Sequence, residues 1–244
     1  MPITHIAILS EQYRLQQMPR NMERFHEYLS TITNEDHSDV KLAPLVAANP
    51  MAREHVTERV AEYLALDAEQ VAADAVIEYQ TRIGTPVEEY KHGLVVMDDV
   101  KGGWTSRPSS EMVATSSAYT RGGWLSTGLW VSEPATAAYV RETVLQSVFR
   151  IFYIQKHGIP QTLRERMSVE GHAMAFAGKT PTLDDEEITY TRHVLAPLLD
   201  TDNYALCFAA LMGDEAARQF GYEPLGLSSH AAFAVALADA LAET

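Results

Sequence analysis

The chain has 244 residues, 46% hydrophobic and 21% charged, a composition that belongs to a folded protein and excludes a disordered one. Lys and Arg number 19 against 33 Asp and Glu, and the formal charge of −14 argues against nucleic acid or an anionic membrane surface as a partner. A single cysteine, Cys207, excludes an internal disulfide and a cysteine-built zinc ribbon. No apolar run approaches a signal core or the ~20 residues of a membrane span, so a soluble, cytoplasmic protein is expected.

The first third reads as helices. Met22, Phe25, Leu29 and Ile32 recur at three- and four-residue steps, predicting a helix over 19–32. Asn49-Pro50 breaks the next run, and a helix is expected from about Met51 to Leu66. Asp67 with Gln70 is a variant capping box for a further helix to Ile83, closed by Gly84 and Pro86.

The middle changes character. The run Leu94-Val95-Val96-Met97, then Ser-, Thr- and Gly-rich sequence, then Trp124 to Val131, predict strands near 93–98, 112–119 and 124–131. Ser132 is expected to cap a long helix with Pro134 in its first turn and Gly158 past its end. Thr162 and Glu165 form a capping box for the next helix, which Gly178 closes. Helices near 183–199, 202–220 (broken at Gly213) and 229–242, the last capped by Ser228 or Ser229, complete the chain. The fold class expected is α+β: a mainly helical single domain over 1–244 with a small central antiparallel sheet within residues 92–131.

Charge locates the chemistry. Residues 101–179 carry nine basic and five acidic side chains inside an otherwise acidic chain. Within them Lys101-Gly102-Gly103-Trp104 recurs as Arg121-Gly122-Gly123-Trp124. Each copy joins a cation to two glycines, whose backbone N–H groups can form an anion-binding nest, and to a flat aromatic surface. Arg107 adds a guanidinium fork suited to carboxylate or phosphate. The same residues would also serve as two turns whose tryptophans fill a core. Asp98-Asp99, at the end of an apolar strand, could hold a divalent ion through oxygen or simply make a turn.

Two helices add candidates. Glu142, Gln146, Arg150, Tyr153 and His157 fall on one line of the helix over 133–157, a polar stripe that faces solvent or lines a cavity. Glu170 sits inside the apolar stripe of the next helix, where a carboxylate needs a cation, and Arg150 is the first candidate to supply it. Such a pair serves a site or a structural ion pair equally well. Gly171 beside it costs about 1 kcal/mol relative to Ala, which suggests a close approach. The nine histidines include no pair at i, i+3 or i, i+4. Glu23-x-x-His26 and Glu89-x-x-His92 match a di-iron step only weakly, and no metal ligand set is assigned.

Strands followed by a long helix, then a second helix opening Leu163-Arg164-Glu165 and carrying Glu170, resemble the gluzincin zinc peptidases. The window Gln146-Ser147-Val148-Phe149-Arg150 stands where that family has H-E-x-x-H, and Glu170 stands at the distance of its glutamate ligand. Both histidine ligands and the general-base glutamate are absent, so the resemblance implies a metal-free relative using the same groove for binding.

Three functions follow from these residues. The first is binding of a small anionic ligand by Lys101, Trp104, Arg107, Arg121, Trp124, Glu142, Gln146, Arg150 and Glu170, in a pocket between the Gly-Gly-Trp loops and the helices 133–157 and 162–177. The second is a hydrolase-like enzyme using Glu170, Asp98 or Asp99. The third is a homo-oligomeric scaffold pairing through residues 229–242, with Phe233 and Leu237 at the contact. No cofactor is identified.

Overall fold

The computed structural model describes residues 3–100, 104–118 and 120–243. Its three strands are β1 (Ile3–His5), β2 (Tyr90–Met97) and β3 (Trp124–Trp130), in the order β1-β2-β3, and both pairings are parallel. The expected antiparallel sheet is therefore corrected. The signal lay in β2, which is buried at seven of its eight positions. A strand covered on both faces reads as a continuous apolar run, the mark of a parallel sheet. Parallel neighbours need a crossover of a dozen residues or more. The stretch expected as a middle strand, 112–119, lies in that crossover and holds part of a helix instead, Arg107–Ala114. Pro108 suits the first turn of that helix, where a missing N–H costs nothing, and Met112 is its one buried side chain.

The helices are α1 (Leu9–Gln17), α2 (Met22–Ile32), α3 (Glu54–Ala65), α4 (Ala68–Ile83), α5 (Arg107–Ala114), α6 (Ala137–His157), α7 (Leu163–Ala177), α8 (Asp185–Leu195), α9 (Tyr204–Met212), α10 (Asp214–Gln219) and α11 (Ala231–Ala242). Strand β1 and helix α1 were not anticipated. Two expected caps are replaced, and a third keeps its place without its side-chain bond. Asp67 takes a left-handed conformation and caps α4 with no side-chain bond. Ser132 turns its hydroxyl to Asp99, and α6 starts at Ala137 with Thr136 Oγ1 accepting from the Tyr139 N–H at 3.1 Å. Ser228 bonds Glu187, and His230 in a left-handed conformation precedes α11. The Thr162–Glu165 capping box of α7 is present with both of its bonds, and Gly178 closes that helix.

The chain divides into two compact units, Met1–Arg107 with Tyr119–Val148, and Pro108–Ala118 with Phe149–Thr244. In the first, alternation along paired strands puts His92, Leu94 and Val96 on one sheet face with Leu125, Thr127 and Leu129. The other face brings Val95, Met97 and Trp130 onto Ile8, Leu15, Tyr28, Ile32 and Leu45. The start of α6 is tied to α4 by a two-pronged pair, Arg141 Nε and Nη2 to Glu78 at 2.8 and 2.6 Å. A polar thread, Glu69–His5–His92–Thr127–Ser147, runs through the otherwise apolar first face.

In the second unit α7 packs against α11, α8 against α11 and α7 against α9. Their core includes Leu163, Met167, Cys207, Phe208, Leu211, Leu227, Ala232, Val235 and Ala236. Leu237, expected at a subunit contact, is 2% exposed. A charge there would unfold the unit before it could report on association. Gly171 is explained by α11: a Cβ on it would lie 2.2 Å from the carbonyl oxygen of Ala236.

Gly171→Ala is therefore expected to destabilise by about 3 kcal/mol, because two helix backbones must separate. Gly178→Ala, left-handed at φ +81° but with open space around its Cβ position, is expected to cost about 1 kcal/mol. Urea titration of both variants checks the contrast. Burial, and then the neighbouring His5, push the His92 imidazole down to about 3. An unfolded chain takes that proton near the ordinary ~6.5, so His92 adds stability above that pH, lost as pH falls toward 3. The expected loss is about 1.4 kcal/mol per pH unit, read as the difference in slope between the wild type and His92→Gln.

Candidate functional site

In open parallel sheets, ligands gather beyond the carboxyl ends of the strands, and one group of polar side chains of the first unit lies at that edge. Three segments build it: Asp98, Asp99 and Val100 after β2, Val131, Ser132 and Glu133 after β3, and one face of α3. His55, Arg59 and Tyr63 stand at four-residue steps along α3 and so share that face. A cleft of about 400 Å³ is lined by Arg53, His55, Glu58, Arg59, Glu62, Val100 and Val131.

Asp98 is 4% exposed. Its Oδ1 accepts from His55 Nε2 at 3.0 Å and from the Val100 N–H at 3.2 Å. The His55 side chain is one-third exposed, and with Nε2 committed to the carboxylate its Nδ1 is the acceptor left over. Asp99 turns the other way. It accepts the Ser132 N–H at 3.0 Å and the Ser132 hydroxyl at 2.5 Å, which ties the end of β2 to the end of β3. Arg107 Nη1 reaches Glu133 at 2.8 Å, Ser132 Oγ at 3.1 Å and Asp99 at 3.5 Å, and its guanidinium lies 5.6 Å from the Trp130 ring centre. The two aspartates thus serve different partners and do not face one shared ion. Arg107 is the cation of a carboxylate cluster and not an open fork.

Two buried hydroxyls in this region, Tyr63 Oη and Thr105 Oγ1, have no hydrogen-bond partner among the described residues. Burial pushes the Tyr63 hydroxyl up, with a smaller push from Tyr139. Burial raises Tyr139 to about 12 against the pull of the Trp130 N–H that it accepts. Both phenols are therefore neutral donors over the physiological range.

The residues chosen from sequence fall in both compact units. Lys101 and the side chain of Arg121 lie outside the described residues. Trp104 is 62% exposed and follows the carboxyl end of β2, where Thr105 N–H reaches the Asp98 carbonyl at 3.4 Å. Trp124 opens β3 and is buried, with Nε1 donating to the Lys41 carbonyl at 3.0 Å and Lys91 Nζ 5.7 Å from its ring centre. Of the two Gly-Gly-Trp copies, the first has only Trp104 among the described residues, and it follows β2 where Trp124 opens β3. Glu142 and Gln146 are half-buried on α6.

Arg150 and Glu170 meet within the second unit, Nε to Oε1 and Nη2 to Oε2 at 2.8 Å, with Glu170 2% exposed. The guanidinium engages both carboxylate oxygens, so the window with zinc-peptidase spacing holds an ion pair. Farther along the stripe, Tyr153 stacks on His157 and His172 at 4.3 and 5.3 Å. Among the described residues, no cluster of three His, Cys, Asp or Glu side chains is placed to hold a metal, and no helix is long and apolar enough to cross a membrane.

Sequence reasoning found Asp98, Asp99 and Arg107 but missed His55, Arg59, Tyr63, Ser132 and Glu133. The four-residue step His55–Arg59–Tyr63 was the available signal on α3. A larger groove of about 810 Å³ lies over the outer face of α2, lined by Glu23, His26, Glu27, Leu29, Ser30, Thr33 and His37. Among the described residues, no orphaned buried polar atom belongs to that lining. No family model, curated protein or solved structure matches the chain.

Asp99→Ala is expected to destabilise the protein by about 2 kcal/mol, since it strips a buried charged acceptor from the Ser132 N–H and hydroxyl. Glu133→Ala, which removes the more exposed partner of Arg107, is expected to cost under about 1 kcal/mol. Chemical denaturation of the two variants side by side checks the order.

Proposed function

We propose that the protein binds a small anionic molecule in the cleft at the carboxyl edge of the sheet. The observation that carries this reading is cationic capacity left open at that edge. Arg53 lines the cleft and makes no ion pair with any described residue, and it caps the N-terminus of α3, whose backbone N–H groups favour negative charge. His55 adds a ring nitrogen and Arg59 a second guanidinium, the latter shared with Glu62 at 3.1 Å. Val100 and Val131 give the cleft an apolar wall, which suits an organic anion better than an inorganic one. Lone, buried Cys207 accords with the reducing, cytoplasmic setting proposed with it.

A second reading rests on the His55–Asp98 pair. A buried carboxylate that fixes one ring nitrogen of a half-exposed histidine leaves the other as a general base, the arrangement a hydrolytic enzyme needs. In that reading Asp98 orients the base and the cations of the cleft hold the substrate's charge.

Calorimetric titration at low ionic strength with inorganic phosphate, phenyl phosphate and benzoate tests the binding reading. Saturable binding is expected, weakened by salt and weakened at least tenfold by Arg53→Ala. Equal affinity in the Arg53→Ala, Arg59→Ala double variant overturns it. For the second reading, hydrolysis of p-nitrophenyl acetate and p-nitrophenyl phosphate is expected to fall at least a hundredfold in His55→Gln. Absence of turnover in the wild type rejects it and leaves binding.

A further inference from the structure

Glu69 on α4 opens a continuous line of buried polar atoms. Its Oε1 accepts the backbone N–H groups of Ile8 and Leu9 at 2.7 Å each, at the start of α1, and its Oε2 lies 2.6 Å from His5 Nε2. A carboxylate occupied in this way only accepts, so His5 carries a proton on Nε2. His5 Nδ1 lies 2.8 Å from Nδ1 of His92, its registered neighbour on β2. His92 Nε2 lies 2.8 Å from Thr127 Oγ1 on β3, and Thr127 Oγ1 lies 2.5 Å from Ser147 Oγ on α6. Ser147 Oγ also reaches the Val144 carbonyl at 3.1 Å.

Counting donors and acceptors leaves two arrangements. With His5 neutral, its Nδ1 is a bare acceptor, so His92 donates from Nδ1 and accepts on Nε2 from Thr127, which accepts in turn from Ser147. With His5 charged, both of its nitrogens donate. His92 must then accept on Nδ1 and donate from Nε2 to Thr127, Thr127 donates to Ser147, and Ser147 donates to the Val144 carbonyl. Every bond from His5 to Ser147 reverses, and His92 is neutral in both cases.

We propose that this chain is a proton switch, in which one proton taken up at the half-exposed Ser147 hydroxyl charges His5 and inverts the donor direction of the whole line. The transfer balances. A proton arriving on Ser147 Oγ passes that hydroxyl's own proton to Thr127, Thr127 passes its proton to His92 Nε2, and the Nδ1 proton of His92 crosses to His5. One proton enters and one positive charge appears on His5, beside the Glu69 carboxylate. The low-dielectric surroundings strengthen each bond of such a chain and make a half-satisfied arrangement costly, which favours reversal of all the bonds together.

The groups that face His5 come from the two elements packed on β1: Glu69 from α4 and His92 from β2. Lys91 lies on the opposite sheet face, over the Trp124 ring. Burial holds the His92 imidazole far below the ordinary histidine range, so it passes a proton on and does not keep a second one.

Nitrogen-15 NMR of the imidazole rings, from pH 4 to 9 on the full chain, tests the switch. His92 is expected to carry its proton on Nδ1 at high pH and on Nε2 at low pH, with the midpoint at which His5 becomes charged and with no charge of its own. Ser147→Ala removes an acceptor that Thr127 needs only when His5 is charged. The His5 midpoint is therefore expected to fall by about half a pH unit or more in that variant, although residue 147 does not touch His5. A His92 that keeps one tautomer while His5 titrates overturns the proposal in the wild type alone. So does a His5 that does not titrate in this range, or a midpoint unmoved in a folded Ser147→Ala.

Discussion

Two parallel neighbours cannot be joined by a tight turn, and the pairing of β2 with β3 imposes that constraint on everything around it. After Met97 the chain must travel back to the start of the sheet before Trp124 can pair with Lys91. Residues 98–123 make that return, and α5 lies within it. The same constraint brings the ends of both strands to one edge, where Asp99 can bind Ser132 and Arg107 can sit between Asp99 and Glu133. It also places Trp104 after a strand's end and Trp124 at a strand's beginning.

A sheet covered on both faces has little room for polar atoms, yet its first face carries three polar side chains in series with Glu69 of α4 and Ser147 of α6. They are tolerated because each finds a partner, and the series ends on a carboxylate satisfied by two backbone N–H groups at the start of α1. Glu69 therefore does two things at once: it completes a helix terminus and it anchors the histidine pair. The carboxyl-edge cleft is built in the opposite way: His55 pairs with Asp98 and Arg59 with Glu62, while Arg53 and Glu58 make no ion pair with any described residue.

Local features were legible in the sequence and distant ones were not. Thr162, Glu165 and Gly178 mark the two ends of α7 because capping is decided within four residues. Glu170 pointed to Arg150 because a carboxylate inside an apolar stripe requires a cation, and a neighbouring helix is the nearest source. Ser132 and Ser228 misled for a related reason. An oxygen able to cap a helix is equally able to serve a remote partner, and Ser132 and Ser228 chose Asp99 and Glu187. Strand direction and register left no mark in the residue order around 105–120. Nothing local links His5 to His92, 87 positions away, and β1 is only three residues long. Half of the candidate edge was visible as Asp98, Asp99 and Arg107, and the half supplied by α3 depended on knowing which face of that helix turns toward the sheet.

The contact of Gly171 with the backbone of Ala236 has a consequence for tracing descent. Because the partner atom is a carbonyl, no exchange of side chains on α11 can relieve a larger residue at 171, and compensation has to come from shifting a whole helix. Most positions in α7 and α11 can drift in pairs, one side chain shrinking as its neighbour grows. This one cannot. A glycine in the middle of a capped helix, facing an alanine-rich helix some sixty-five residues later, is thus the signature by which remote kin of this chain would be recognised after the rest of its sequence had diverged.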